Sequence, residues 1–163
     1  MRKLWCTSFI EFEQIAKENN WDKEVPNDIA VISINNGTCF ENECHVCKDA
    51  DNVLNLNFDD ADPISYGLSE YIQFYSYNIS GEKSITLKFF NNEMAKQVVE
   101  FIEDNKDKNF YIHCSAGISR SQAFVKYIKN VYDFINWETN PNNPCLYPNG
   151  FVFQKLMQAY RSR

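Results

Sequence analysis

Apolar residues recur along the chain in two periods. Phe9, Phe12, Ile15 and Ala16 fall near helical spacing, and "KLWCTS" just before them reads as a short strand. "DIAVISI" is an unbroken β-branched run, the pattern of a buried strand. "VLNLNF" alternates apolar residues with Asn, which predicts a strand with one wet face. The polar stretch between those two, "NNGTCFENECHVCKDADN", has turn formers at both ends and reads as a loop. Pro63 and Gly67 then break the pattern. Residues 68–90 are rich in aromatics, and "EYIQFYSY" fits either a helix or an irregular lid. "NNEMAKQVVEFIEDNK" predicts a helix capped by Asn91 or Asn92, with Met94, Val98, Phe101 and Ile102 on one face. "NFYIH" is a short buried strand. A long helix is expected from about Ser119 to Trp137, with Phe124, Ile128, Val131 and Ile135 along one stripe. "NPNNPCLYPNG" reads as a loop and "FVFQKLMQAYR" as a closing helix. Strands alternating with helices predict an α/β fold, a mainly parallel central sheet flanked by helices, in one domain over residues 1–163. Such sheets bind ligands beyond the carboxyl ends of their strands. Cys114 falls at one such end, and Asp59 and Asp60 at another.

Composition narrows the function. Hydrophobic residues are 44% and aromatics 15% of the 163 residues, enough for a packed core. The net charge of −6 argues against a broad nucleic-acid surface and against adhesion to anionic membranes. Glu11 and Glu13 interrupt the first apolar run too early for a secretory signal, and no stretch approaches the ~18 apolar residues of a membrane span. A cytoplasmic protein is the expectation. Cys6, Cys39, Cys44, Cys47, Cys114 and Cys145 are then read as thiols rather than a disulfide frame.

The chemistry concentrates in "HCSAGISRS", residues 113–121. A strand ends at His113 and a helix begins near Ser119. Small residues between them let successive amides turn inward around an anion, and Gly117 can take a backbone conformation closed to other residues. Arg120, in the first helical turn, offers a planar fork suited to two oxygens of a tetrahedral oxyanion. The helix dipole adds positive potential at the same point. A thiol held there loses its proton readily. Ser121 can donate a hydrogen bond to the sulfur and later help it leave, while His113 is read as fixing the loop through backbone hydrogen bonds.

These residues also resemble the signature H-C-x-x-G-x-x-R-[ST] of the cysteine-based protein tyrosine phosphatases, especially the small dual-specificity branch. "LNLNFDD" resembles that branch's strand running into its general-acid aspartate, and "YPNGFVFQKL" resembles its Pro-Asn helix opening. The likeness covers roughly residues 29 to 160. It implies that Cys114 is the nucleophile and that Arg120 binds phosphate. It implies a backbone cradle from Ser115 through Ala116, Gly117, Ile118 and Ser119 to Arg120, and a Ser121 that aids hydrolysis of a phosphocysteine. No cofactor or metal is implied. The aspartates lie 54 residues or more ahead of Cys114, farther than in compact members of the branch, with the extra length in 68–90.

Ester cleavage needs a proton for the leaving oxygen. The residues themselves leave Asp59, Asp60 and Asp62 open, with strand alternation pointing Asp59 and Asp60 opposite ways. The resemblance selects Asp60, with Asp59 the alternative. Cys39, Cys44, His45 and Cys47 in "CFENECHVC" could hold zinc, but a structural site wants four ligands in a recognisable second pair, and none is evident. A redox partner for Cys114 is another use for these thiols. Three functions compete. A phosphoprotein phosphatase acting on phosphotyrosine, and also on phosphoserine and phosphothreonine, leads. A rhodanese-like sulfurtransferase is disfavoured by the loop length and Ser121, and an inactive phosphopeptide reader by the intact Cys114, Arg120 and Asp60. Within phosphatases, the loop carries no cation besides Arg120, so a phosphoinositide or RNA 5′-phosphate is a poorer fit than a phosphoprotein.

Overall fold

The computed structural model describes residues 2–38, 44–79, 81, 83–132, 137–139 and 147–163. The chain opens with β1 (Arg2–Ser8) and α1 (Phe9–Glu18). Ser8 caps α1 in a reciprocal box with Glu11, which satisfies orphan amides at the helix start. β2 (Ile29–Asn35) and β3 (Val53–Asn57) follow, then a 3₁₀ turn at Pro63–Tyr66. β4 (Phe74–Ile79) and β5 (Lys83–Lys88) precede α2 (Asn92–Asp104), whose cap is Asn91. β6 (Asn109–Cys114) leads into α3 (Arg120–Val131), and β7 (Trp137–Thr139) and α4 (Gly150–Arg161) complete the order.

Five strands form one parallel sheet in the order β3-β2-β6-β1-β7. The α/β architecture with helices on both faces is as the alternation of patterns predicts. Strand alternation divides the sheet between two cores. Ile32, Ile34, Leu56, Phe110, Ile112 and Cys114 face α2, α3 and α4. Val31 and Val53 face α1 with Phe12, Ala16 and Trp21. β6 is central, so the loop after it sits where two faces and several strand ends converge. Among the described residues, no helix is long and apolar enough to cross a membrane.

Two elements depart from the sequence reading. Phe74–Ile79 and Lys83–Lys88 form neither helix nor irregular lid but an antiparallel pair, β4 with β5. Tyr75 and Tyr77 lie on one face, 5.7 Å apart by ring centroid, and Tyr66 packs 5.7 Å from Tyr75. Ser76 on the other face meets its cross-strand partner Thr86 at 2.7 Å. Close spacing of Tyr71, Ile72, Phe74 and Tyr75 imitates a helical stripe, and the cross-strand pairing that decides the matter is not local. The second departure is α3, which stops at Val131 rather than near Trp137. Tyr132 is extended, with φ −110° and ψ 140°, and its hydroxyl donates to Glu103 at 2.7 Å. Trp137 belongs instead to β7, beside Arg2 of β1.

Candidate active site

The loop from Cys114 to Arg120 joins β6 to α3. Gly117 has φ 73°, the left-handed backbone that glycine adopts without a Cβ penalty. That turn aims the Gly117 amide back at Cys114 Sγ, 3.3 Å away. Ser115, Ala116 and Ile118 are exposed at the loop's crest, while Cys114 lies at its floor with 2% exposure. Among the described residues, the amides of Ala116, Ile118 and Ser119 have no hydrogen-bond acceptor within the protein.

Arg120 is buried, and three contacts orient its guanidinium. Nη1 donates to the carbonyls of Phe58 at 2.7 Å and Asn35 at 3.3 Å, near the ends of β3 and β2. Nη2 donates to Ser115 Oγ at 2.8 Å, and Nε has no partner among the described residues. One side of the fork is therefore anchored to the scaffold, while the Nε–Nη2 edge carries the remaining donor capacity.

Burial pushes the Cys114 thiol up. The hydrogen bonds from the Ser121 side chain and backbone, the Arg120 charge and the Gly117 amide outweigh it, so the pKa lies below that of an ordinary thiol. Ser121 Oγ is 3.2 Å from the sulfur. A thiol of lowered pKa thus lies beside a cation and unused amides, an arrangement able to bind an oxyanion.

The three candidate aspartates separate by their partners. The Asp59 carboxylate accepts the Gly37 amide at 3.1 Å and the Lys88 amide at 2.8 Å. A Cβ at Gly37 would lie 2.5 Å from Asp59 Oδ2 and 2.5 Å from Lys88 Cβ, so the junction needs glycine. Asp62 caps the 3₁₀ turn through Ile64 N at 2.8 Å. Asp60 alone of the three reaches the loop. Its Oδ1 accepts Ser119 Oγ and Asn149 Nδ2, both at 2.8 Å, and Asp60 is otherwise exposed. Ser119 spends its hydroxyl on Asp60 and makes no side-chain cap for α3.

No protein-family model and no curated protein matches the chain. The crystal structure of the Cydia pomonella PTP-2 phosphatase is similar to it at 15% sequence identity and TM-score 0.49, over 97% of this chain and 86% of that one.

His113 lies behind the loop, with the Cys114 backbone beside its ring. Its neighbour Cys114 faces α3, so alternation turns His113 to the α1 face, where it stacks on Phe12 at 4.4 Å. No side chain among the described residues meets either ring nitrogen. Burial lowers its pKa to about 3, His45 and Arg120 add to this, and the Cys114 backbone opposes it. The neutral ring acts by packing under the strand end.

The second cysteine cluster is not assembled as a metal centre within the described residues. His45 Nδ1 meets Ser33 Oγ at 2.7 Å and its Nε2 meets Asn57 Oδ1 at 2.7 Å, so both nitrogens are occupied. Cys47 is buried and its thiol is pushed up to about 12, by desolvation first and then by the Asp22 charge. Contrary to the reading of all six cysteines as thiols, Cys44 is disulfide-bonded, while Cys6, Cys47 and Cys114 are free. Cys39 and Cys145 lie outside the described residues.

Sequence reasoning missed two neighbours of the site. Asn149 caps α4 through Val152 N, donates its own amide to Ser119 O, and reaches Asp60 with its side chain. The quoted "YPNG" segment marked it only as a helix opening. Cys6 of β1 lies 3.1 Å from Ser121 Oγ, and no local pattern announces that contact.

Proposed function

We propose that the protein is a cysteine-dependent phosphatase that hydrolyses phosphotyrosine, and also phosphoserine and phosphothreonine, in phosphoprotein substrates. One observation carries the reading: a thiol of lowered pKa lies under a loop of unused amides, with Arg120 Nε unpartnered among the described residues and Nη2 held by Ser115 Oγ with a second N–H to give. The phosphoryl oxygens occupy those amides and the Nε–Nη2 edge. Cys114 Sγ attacks phosphorus and the ester P–O bond breaks. Asp60 gives its proton to the departing oxygen, leaving a phosphocysteine. Asp60 then takes a proton from an attacking water, the S–P bond breaks, and the electron pair returns to a sulfur stabilised by Ser121. Oδ1 of Asp60 accepts two hydrogen bonds, so the proton to be transferred belongs on Oδ2.

The depth of Cys114 favours a phosphate on a protruding stem, which suits phosphotyrosine best. The absence of Lys from residues 113–121, with Arg120 the single cation, and the net charge of −6 favour a phosphoprotein over phosphoinositides or RNA ends. The positive charge comes from Arg120 and the amides, so turnover should persist in a chelator.

The test is a substrate panel with intermediate trapping. Phosphotyrosine, phosphoserine, phosphoinositide, RNA 5′-phosphate and thiosulfate are offered, and acid-quenched protein is analysed for phosphate on Cys114. Phosphotyrosine turnover with a Cys114 adduct supports the reading. Thiosulfate turnover with a persulfide on Cys114 would replace it with sulfur transfer.

A further inference from the structure

Ser121 Oγ stands between two sulfurs, Cys114 Sγ at 3.2 Å and Cys6 Sγ at 3.1 Å. A hydroxyl has one proton to give and two lone pairs to receive with. If its proton went to Cys6, the nucleophile would lose the donor that makes the largest contribution to lowering its pKa. What decides the direction is where the Cys6 proton goes. The Cys6 thiol donates to Ser121 Oγ at 3.1 Å, and Gly117 O lies farther from it at 3.5 Å. Gly117 O already accepts Gln122 Nε2 at 2.9 Å, and the serine oxygen is nearer. Cys6 S–H therefore points at Ser121 Oγ, and the serine proton is left for Cys114.

We infer that Cys6 is a positioning residue for the nucleophile: its S–H fixes the Ser121 hydroxyl rotor so that Ser121 donates to the Cys114 thiolate. The placement is built by the sheet. β1 lies beside β6 in parallel, Cys6 is in register with Ile112, and Cys6 and Cys114 face the same α3 side. Cys6 is 3% exposed and Ser121 is fully buried, so water does not compete for the hydroxyl. The same donor would steady the sulfur as it leaves phosphorus, so Cys6 would also speed breakdown of the phosphocysteine. This role rests on the phosphatase reading, but its effect on the thiolate exists without any substrate.

The experiment compares Cys6→Ala with Cys6→Ser in the full chain. The first reading is the pH dependence of Cys114 carboxamidomethylation by iodoacetamide, followed by mass spectrometry of the Cys114 peptide. Cys6→Ala should move the onset of labelling up by roughly half to one pH unit, the share of about one hydrogen bond. Cys6→Ser keeps a donor and should lie near wild type. The second reading is quenched flow with an aryl phosphate, in which Cys6→Ala should accumulate phosphoenzyme through breakdown slowed by about 3–10-fold. If Cys6→Ala does not fold, Cys6→Val and Cys6→Thr supply a pair of matched shape, differing in the donor. Wild-type labelling profiles in both members of a folded pair would overturn the inference and leave Cys6 as packing. A shifted labelling profile in a protein that turns over no phosphate ester would keep the Cys6 role and remove the phosphatase reading instead.

Discussion

Cys114 and Cys47 are equally hidden, each with 2% exposure, yet their thiols are driven in opposite directions. Burial acts on both and opposes the charged form in both. Around Cys47 the cluster with Phe12, Trp21 and Val53 supplies no compensating donor among the described residues, and Asp22 adds a repelling charge. Around Cys114 an amide and a hydroxyl meet the sulfur, and the Arg120 charge favours its ionised form. A buried cysteine is thus inert by default, and it is the strand-to-helix turn that reverses this.

The sharpest way to break the comparison is to exchange sulfur for oxygen at each position. Cys114→Ser should lower turnover by roughly 10⁶-fold, the scale of losing a nucleophile that works as part of a unit. Cys47→Ser should leave turnover intact and cost about 1–3 kcal/mol of stability for a buried hydroxyl, read by steady-state kinetics and thermal melting.

The aspartates give the same contrast at a smaller scale. Asp60→Asn keeps an acceptor for Ser119 and Asn149 but removes the transferable proton. It should slow phosphotyrosine hydrolysis by about 10²–10⁴-fold, with a weaker effect on esters of acidic leaving groups. Asp59→Asn should instead lower stability by about 1–3 kcal/mol, because an amide N–H would face a backbone N–H it cannot accept. A leaving-group-dependent defect at Asp59 would transfer the role.

The mildest probe is chemical. Near neutral pH, iodoacetamide should label Cys114 at least about tenfold faster than Cys47, since the thiolate is the reactive form. The Cys114 pKa is lowered, so its thiolate persists below the ordinary thiol range. Labelling is lost only as pH falls through that lowered value. Equal labelling of both sites in the folded protein would erase the distinction drawn above.

The parts legible in sequence are those whose causes are local. The 113–121 signature carries its own turn glycine, cation and thiol, and β2 and β3 are set by short-range periodicity. The β4–β5 pair was ambiguous because cross-strand pairing, not spacing, decides between strand and helix. Alternation marked Asp59 and Asp60 as facing apart, but only the approach of Gly37, Lys88 and Ser119 says which one meets the loop. Cys6 lies 115 positions from Ser121 in sequence, and a contact at that separation leaves no local trace.

Asp59 has a consequence of another kind. Its backbone amide donates to Lys88 O at 2.7 Å while its carboxylate takes the Lys88 amide, and Phe89 N closes the hairpin base on Gln73 O at 2.8 Å. The root of the hairpin is riveted to the residue before Asp60, whereas its tip at Gly81 is held by neither bond. The segment is therefore a modular graft. A change of chain length beyond the Ile79–Lys83 pair leaves these root bonds in place.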